Sequence, residues 1–278
     1  MQETVHTTLK SAFDLPTAAI HSRPSPISTN IMAPIIKEVT TLPELSAAMT
    51  CLWNAAYNPY SPIMSVLFPV WEATEEGYAQ ALAEATSRVW GFHQHDASSH
   101  WIYVTDDEDG KGEVCSVAHW NFHDQISPYK DGAPELVAFW HPEGTGREFA
   151  SRALNQVYRF RGERMWRPHC QLDYMFTDVP YRGKGYASML MQWGMQRAEE
   201  KGLEVVVESS EMGHDLYKKF GLRTIEKIAL DMRVERPSNT WRRLQSDLGD
   251  VLLWWMWKPS GGVYEVGKME LPWVAKRE

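Results

Sequence analysis

Residues 172–187 read Leu172-Asp173-Tyr174-Met175-Phe176-Thr177-Asp178-Val179-Pro180-Tyr181-Arg182-Gly183-Lys184-Gly185-Tyr186-Ala187. Leu172–Thr177 has the character of a strand, Asp178–Lys184 that of a turn, and Tyr186–Lys201 that of an amphipathic helix ended by Gly202. In such a turn glycines let the backbone aim its N–H groups at one point, and the helix N-terminus adds partial positive charge. Lys184 and Arg182 supply further charge at its edge. The stretch has the outline of a pyrophosphate site.

Three phosphate-binding patterns compete for these residues. A P-loop requires Gly-Lys followed by Ser or Thr, whereas Gly185 follows Lys184. A dinucleotide fingerprint needs a third glycine where this chain has Ser188, and it belongs near the start of a fold. The third pattern is a coenzyme A loop.

Outward from the turn, Glu204–Glu208 reads as a buried strand, Gly213–Phe220 as a short helix, and Thr224–Met232 and Leu252–Trp257 as strands. Upstream, Ile35–Val39 reads as a strand. Thr41 then caps a helix with Pro43 in its first turn, and Asn58–Pro62 interrupts it. A second helix runs from Thr74 to about Trp90 and a third from Arg147 to Met165. Trp101–Val104 and Val114–Trp120 form a hairpin, and Asp124–Gly146 is a long polar loop. This order predicts a mixed α/β sheet with helices on both faces. It places one domain at 34–278 after an N-terminal segment at 1–33, which is expected to be disordered or an upstream extension, with a leader as the other reading.

The motifs resemble those of the GNAT superfamily of N-acetyltransferases. Arg182–Ala187 is similar to its Q/R-x-x-G-x-G/A motif, with Asp178–Tyr181 as the lead-in. Leu216–Leu222 resembles its L-Y-x-x-x-G-F signature, with Leu222 in place of Phe. Arg167–Asp173 and Trp120–Phe122 resemble a fungal branch acting on small molecules. The resemblance implies a mostly antiparallel sheet splayed at the cofactor site, and acetyl transfer from acetyl-CoA to a primary amine of a small molecule. It also implies that Met175, Phe176 and Thr177 flank the pantetheine arm, with Arg182, Gly183, Lys184, Gly185, Tyr186 and Ala187 around the pyrophosphate. Tyr217 would protonate the departing thiolate. Ser210 falls where relatives carry Asn, so its hydroxyl would either bond the pantetheine or cap the following helix. Asp173 is the first candidate for general base and Glu208 the second, with His119 and a water relay behind them. In several relatives the acid lies where this chain has Gln171. A CoA-binding module without transferase activity and an O-acetyltransferase are the alternative functions.

Composition narrows the field. The 278 residues are 44% hydrophobic and carry a formal charge of −8, which disfavours nucleic acid as partner. Three widely spaced cysteines argue for a reducing, cytoplasmic setting. The longest apolar run, Val251–Trp257, is too short for a bilayer, so no membrane is expected. The histidines at 93, 95, 100, 119 and 123 have metal-like spacing, yet acyl transfer to an amine requires no metal, and none is expected. Ser209-Ser210 lacks the G-x-S-x-G elbow of a serine hydrolase.

Overall fold

The computed structural model describes residues 34–57, 59–107 and 112–274; the segment 1–33 lies outside them. A seven-stranded sheet takes the spatial order β1-β2-β3-β4-β5-β7-β6. Its strands are β1 (Ile35–Glu38), β2 (Ser99–Thr105), β3 (Val114–His123), β4 (His169–Thr177), β5 (Glu204–Ser209), β6 (Arg223–Ala229) and β7 (Leu252–Lys258). Every pairing is antiparallel except β4 with β5.

Alternation along the strands divides the core between two faces. Trp120, Phe122, Cys170, Leu172, Val205 and Val207 pack against α6 (Tyr186–Glu200) and α7 (Glu211–Lys219). Gly194 of α6 has no room for a side chain, because a Cβ there would run into the Trp120 indole. On the opposite face Trp101, Tyr103 and Val117 meet α1 (Leu42–Ala56) and α3 (Glu75–His95). Also on that side lie α4 (Thr145–Val157) and α5 (Arg159–Arg164), the latter close to Val206, Trp255 and Trp257.

Local chemistry accounts for the boundaries. Thr41 Oγ1 accepts from Glu44 N while Glu44 Oε2 accepts from Thr41 N, a reciprocal cap at the start of α1. Thr74 caps α3, which continues to His95, beyond the expected end at Trp90. The single helix expected over 147–165 is broken at Tyr158 into α4 and α5. Gly162 then lies so close to Ala133 that a Cβ would collide with the Ala133 backbone, which docks α5 against the long loop.

Two helices fall outside the expected elements. The first, α2 (Met64–Leu67), is a single turn after the proline-rich break. The second, α8 (Asn239–Leu248), is capped by Ser238 and buries Trp241 and Leu248. Among the described residues no helix is long and apolar enough to cross a membrane.

Candidate functional site

The parallel pairing of β4 with β5 covers only His169–Leu172 opposite Glu204–Val207. Beyond Leu172 the strands part, and Asp173–Thr177 has no partner on its β5 side. A cavity of about 700 Å³ occupies the opening. It is lined by Asp173, Met175, Phe176 and Thr177 from β4, by Glu208 and Ser210 after the split, and by Tyr217 from α7. The expected splay is therefore present, and it leaves backbone polar groups of β4 free to meet a ligand.

One end of this cavity meets the glycine turn. Gly183 and Gly185 adopt φ of +76° and +89°, left-handed values that a side chain would strain. Gly185 is the N-cap of α6 and supplies no side-chain cap, so the first N–H groups of the helix, from Tyr186 on, lack intrahelical acceptors. Arg182 is spent on structure: its Nε and Nη2 donate to the carbonyls of Thr177 and Ala55, and its N–H donates to Val179. Lys184 does not line the cavity; its Nζ lies 4.8 Å from the ring centroid of Tyr181. The turn thus offers amides and helix dipole at the cavity wall, with Lys184 as a charge behind them.

Tyr217 is buried, and its ring packs against Gly213. Burial pushes its phenol up from the ordinary value, so the hydroxyl keeps its proton at neutral pH. Ser210 is the N-cap residue of α7, yet its side chain makes no capping bond. The hydroxyl is available to the cavity that Ser210 lines.

The carboxylates are organised by a residue that the sequence reading did not single out. Arg161 Nη1 lies 2.8 Å from Asp173 Oδ1, while Nε and Nη2 bind both oxygens of Glu208 at 2.5–3.1 Å. The guanidinium also stacks 4.1 Å from the Tyr158 ring centroid. All three ionic side chains are largely buried, at 5–16% exposed. Burial raises the Asp173 carboxyl, but Arg161, His119 and the bonds from Arg161 outweigh it and hold it below the ordinary value. Arg161 itself is pinned in the charged form by the two acids.

Asp173 sits at a β-bulge. His119 pairs with Tyr174 and Trp120 with Leu172, leaving Asp173 as the extra residue. Strict alternation would put Asp173 on the same face as Met175; the bulge instead turns it toward Asn121, Gln171 and Arg161, while Met175 packs on the α6 side. Asn121 Nδ2 donates to Asp173 Oδ2 at 2.7 Å. His119 is stacked on Trp101 and bonded through Nε2 to Ser99 Oγ. Burial pushes its imidazole down to about 4.

The residues present fit a pyrophosphate-bearing thioester: an amide cradle at a helix start, an open strand edge, and a buried proton donor share one cavity. Comparison with known proteins agrees. Residues 64–222, more than half of the chain, match the acetyltransferase (GNAT) family. Polyamine N-acetyltransferase of Drosophila melanogaster, which forms N-acetylagmatine, superposes with a TM-score of 0.53 at 15% identity, over 82% of this chain and 100% of that one. A mosquito arylalkylamine N-acetyltransferase-like protein gives 0.51 at 14% identity, over the same shares. No curated protein matches the sequence.

Proposed function

Because this chain belongs to the acetyltransferase (GNAT) family, we propose that it transfers an acetyl group from acetyl-CoA to a primary amine of a small molecule, by direct attack in a ternary complex. The observation that carries this reading is the parting of β4 and β5 beyond Leu172 and Val207, directly over the Gly183–Gly185 turn. The resemblance of Trp120–Phe122 and Arg167–Asp173 to a fungal small-molecule branch, and the amine substrates of the similar folds, support the choice of acceptor. We take residues 34–278 as one catalytic domain.

Acetyl-CoA, when bound, supplies the acetyl thioester. The amides from Gly183 to Ala187 would hold its pyrophosphate, with Arg182 bracing the turn and Lys184 a charge behind it. Met175, Phe176 and Thr177 lend main-chain groups to the pantetheine, joined by the Ser210 hydroxyl. Tyr217 holds a proton at its phenol oxygen and gives it to the leaving sulfur. Asp173 and Glu208 share one Arg161, so the three groups together carry a net charge of −1 that attracts an ammonium. Asp173 is the group that takes the amine proton, with Glu208 the second candidate. Its depressed pKa makes that transfer uphill, so the rate should climb with pH as the amine loses its proton without help.

Turnover of acetyl-CoA against a panel of primary amines, read as free thiol, tests the reading. An acceptor-dependent release that rises between pH 6 and 9 supports it. Binding of CoA with no acceptor-dependent release from any amine or alcohol would reduce the protein to a CoA-binding module.

A further inference from the structure

A second cavity of about 350 Å³, a size suited to a small ligand, lies between α3, the 124–146 loop and the β2–β4 strands. Leu67, Leu154, Tyr158, Asp173 and Tyr174 line both cavities, so the second abuts the first at Asp173. Its walls are aromatic, with Trp101, Tyr129 and Trp140 among them.

Its polar groups are unevenly satisfied. His123 Nε2 and Gln171 Oε1 are buried and meet no hydrogen-bond partner among the described residues. His119 Nδ1 stands 3.5 Å from Asp173 Oδ2, beyond good hydrogen-bond reach. Burial lowers both imidazoles, so each ring is neutral at neutral pH. Charged groups in its wall are already engaged: Arg88 with Glu84 and the Leu67 carbonyl, Asp96 with Ser98. The cavity therefore offers uncharged acceptors, Gln171 beside Asp173 and His123 further along β3, between a net negative charge at Asp173 and wall charges of opposite sign in Asp96 and Arg88. A second cation there would meet the Arg88 guanidinium as well as the Asp96 carboxylate, so its desolvation penalty is not offset.

We propose that this cavity holds the tail of the acceptor, an uncharged tail ending in a hydrogen-bond donor such as a hydroxyl, while the ammonium head lies at the Asp173 junction. The inference rests on the acetyl-transfer reading and adds the chemical class of the acceptor.

Three amines of nearly equal length discriminate: 5-aminopentan-1-ol, n-hexylamine and 1,5-diaminopentane. In the full chain saturated with acetyl-CoA, kcat/KM for the amino-alcohol should exceed both others by about tenfold or more, because a site built for a hydroxyl rejects its analogue. His123→Phe removes a ring acceptor and Leu136→Trp fills the cavity; each should bring the ratios close to one while CoA affinity by calorimetry stays at the parent value. Parent ratios near one, a preference for the diamine, or ratios unchanged in both variants would overturn the proposal and leave a water-filled cavity. Calorimetry of the same amines on CoA-saturated protein separates the two readings. Amino-alcohol binding that Leu136→Trp abolishes, without turnover, sinks acetyl transfer and keeps the cavity; turnover without that selectivity does the reverse. Absence of both sinks both.

Discussion

A methyl group built on Gly213 would fall 2.6 Å from Cε2 of Tyr217, inside contact distance, so the glycine in α7 sets where the phenol stands. Alanine is otherwise the better helix residue by about 1 kcal/mol, an advantage that displacing the buried ring offsets, so Gly213→Ala should leave stability near or below the parent. The ring must turn away, taking the hydroxyl with it. Turnover is expected to fall about tenfold or more, approaching that of a variant without the acid. Parallel melting curves and steady-state rates check this, and an unchanged rate would show that the phenol position is not critical.

Tyr217→Phe removes the hydroxyl and keeps the packing. Burial holds the phenol protonated, the state a general acid needs. Loss of an acid costs about a hundredfold to ten-thousandfold in rate. CoA affinity and melting temperature should stay close to the parent, because the hydroxyl makes no side-chain hydrogen bond among the described residues. Parent-like turnover in Tyr217→Phe would remove Tyr217 from the proton path and leave the cofactor turn standing.

Gly185→Asp tests that turn. The position has φ of +89° and open space around a built Cβ, so the damage comes from backbone strain and from the added negative charge. CoA affinity by calorimetry should weaken by about a hundredfold, while Gly185→Ala separates the strain from the charge. Equal affinity in a folded Gly185→Asp protein would move the pyrophosphate elsewhere.

The features that proved legible in the sequence are those written locally. The turn at Arg182–Ala187, the cap at Thr41 and the apolar runs of β3 and β5 each depend on residues within a few positions of one another. The single turn α2 escaped for lack of length; α8 did carry a signal, the Ser238 cap followed by Trp241, Leu244 and Leu248 at helical spacing, in a stretch otherwise polar. The centre of the site escaped for a different reason. Arg161 finds Asp173 12 residues away and Glu208 47 residues away, and only the folded sheet brings them together. The bulge that turns Asp173 off the face of Met175 is likewise a property of pairing with β3. A buried arginine amid Arg159–Arg164, three of whose six residues are arginine, carries no local mark to separate it from Arg159 and Arg164.

Arg161→Met should show what that arginine does. The substitution retains most of the apolar stem and leaves Asp173 and Glu208 buried without their shared cation. Breaking a buried ion pair from one side costs about 3–5 kcal/mol. In the parent, Asp173 has a folded pKa below its unfolded value, so its contribution is present above the unfolded pKa and lost as pH falls through the folded one. Without Arg161 the acids should take up protons more readily, so the deficit should shrink as pH is lowered toward 5. Denaturant unfolding at pH 5 and pH 8 measures it. A deficit that is small, or equal at both pH values, would mean that the pair is well solvated.

Two buried imidazoles set the acid limit of the fold. His119 and His169 are both pushed down to about 4 by burial. In the unfolded chain each returns to about 6.5. Between these values the unfolded state binds more protons than the folded one, so stability must rise with pH across the window and fall as the solution is acidified. Each histidine contributes about 3 kcal/mol to that change, from a shift of about 2.5 units at 1.36 kcal/mol per unit. The sign is opposite to that of a histidine held by a carboxylate: Asp173 does pull His119 upward, but burial dominates. His119→Phe keeps the ring between Trp101 and Tyr174, with which His119 stacks. It loses the bond to Ser99, so it should be less stable at pH 8. Its stability should then fall between pH 6.5 and 4 less steeply than the parent's, while His169, His123, His141 and His93, all lowered by burial, still titrate. Urea titrations at half-unit steps give the slope. An identical slope in parent and variant would show that His119 does not stay neutral in the folded protein, and with it would go the neutral imidazole beside Asp173 in the second cavity.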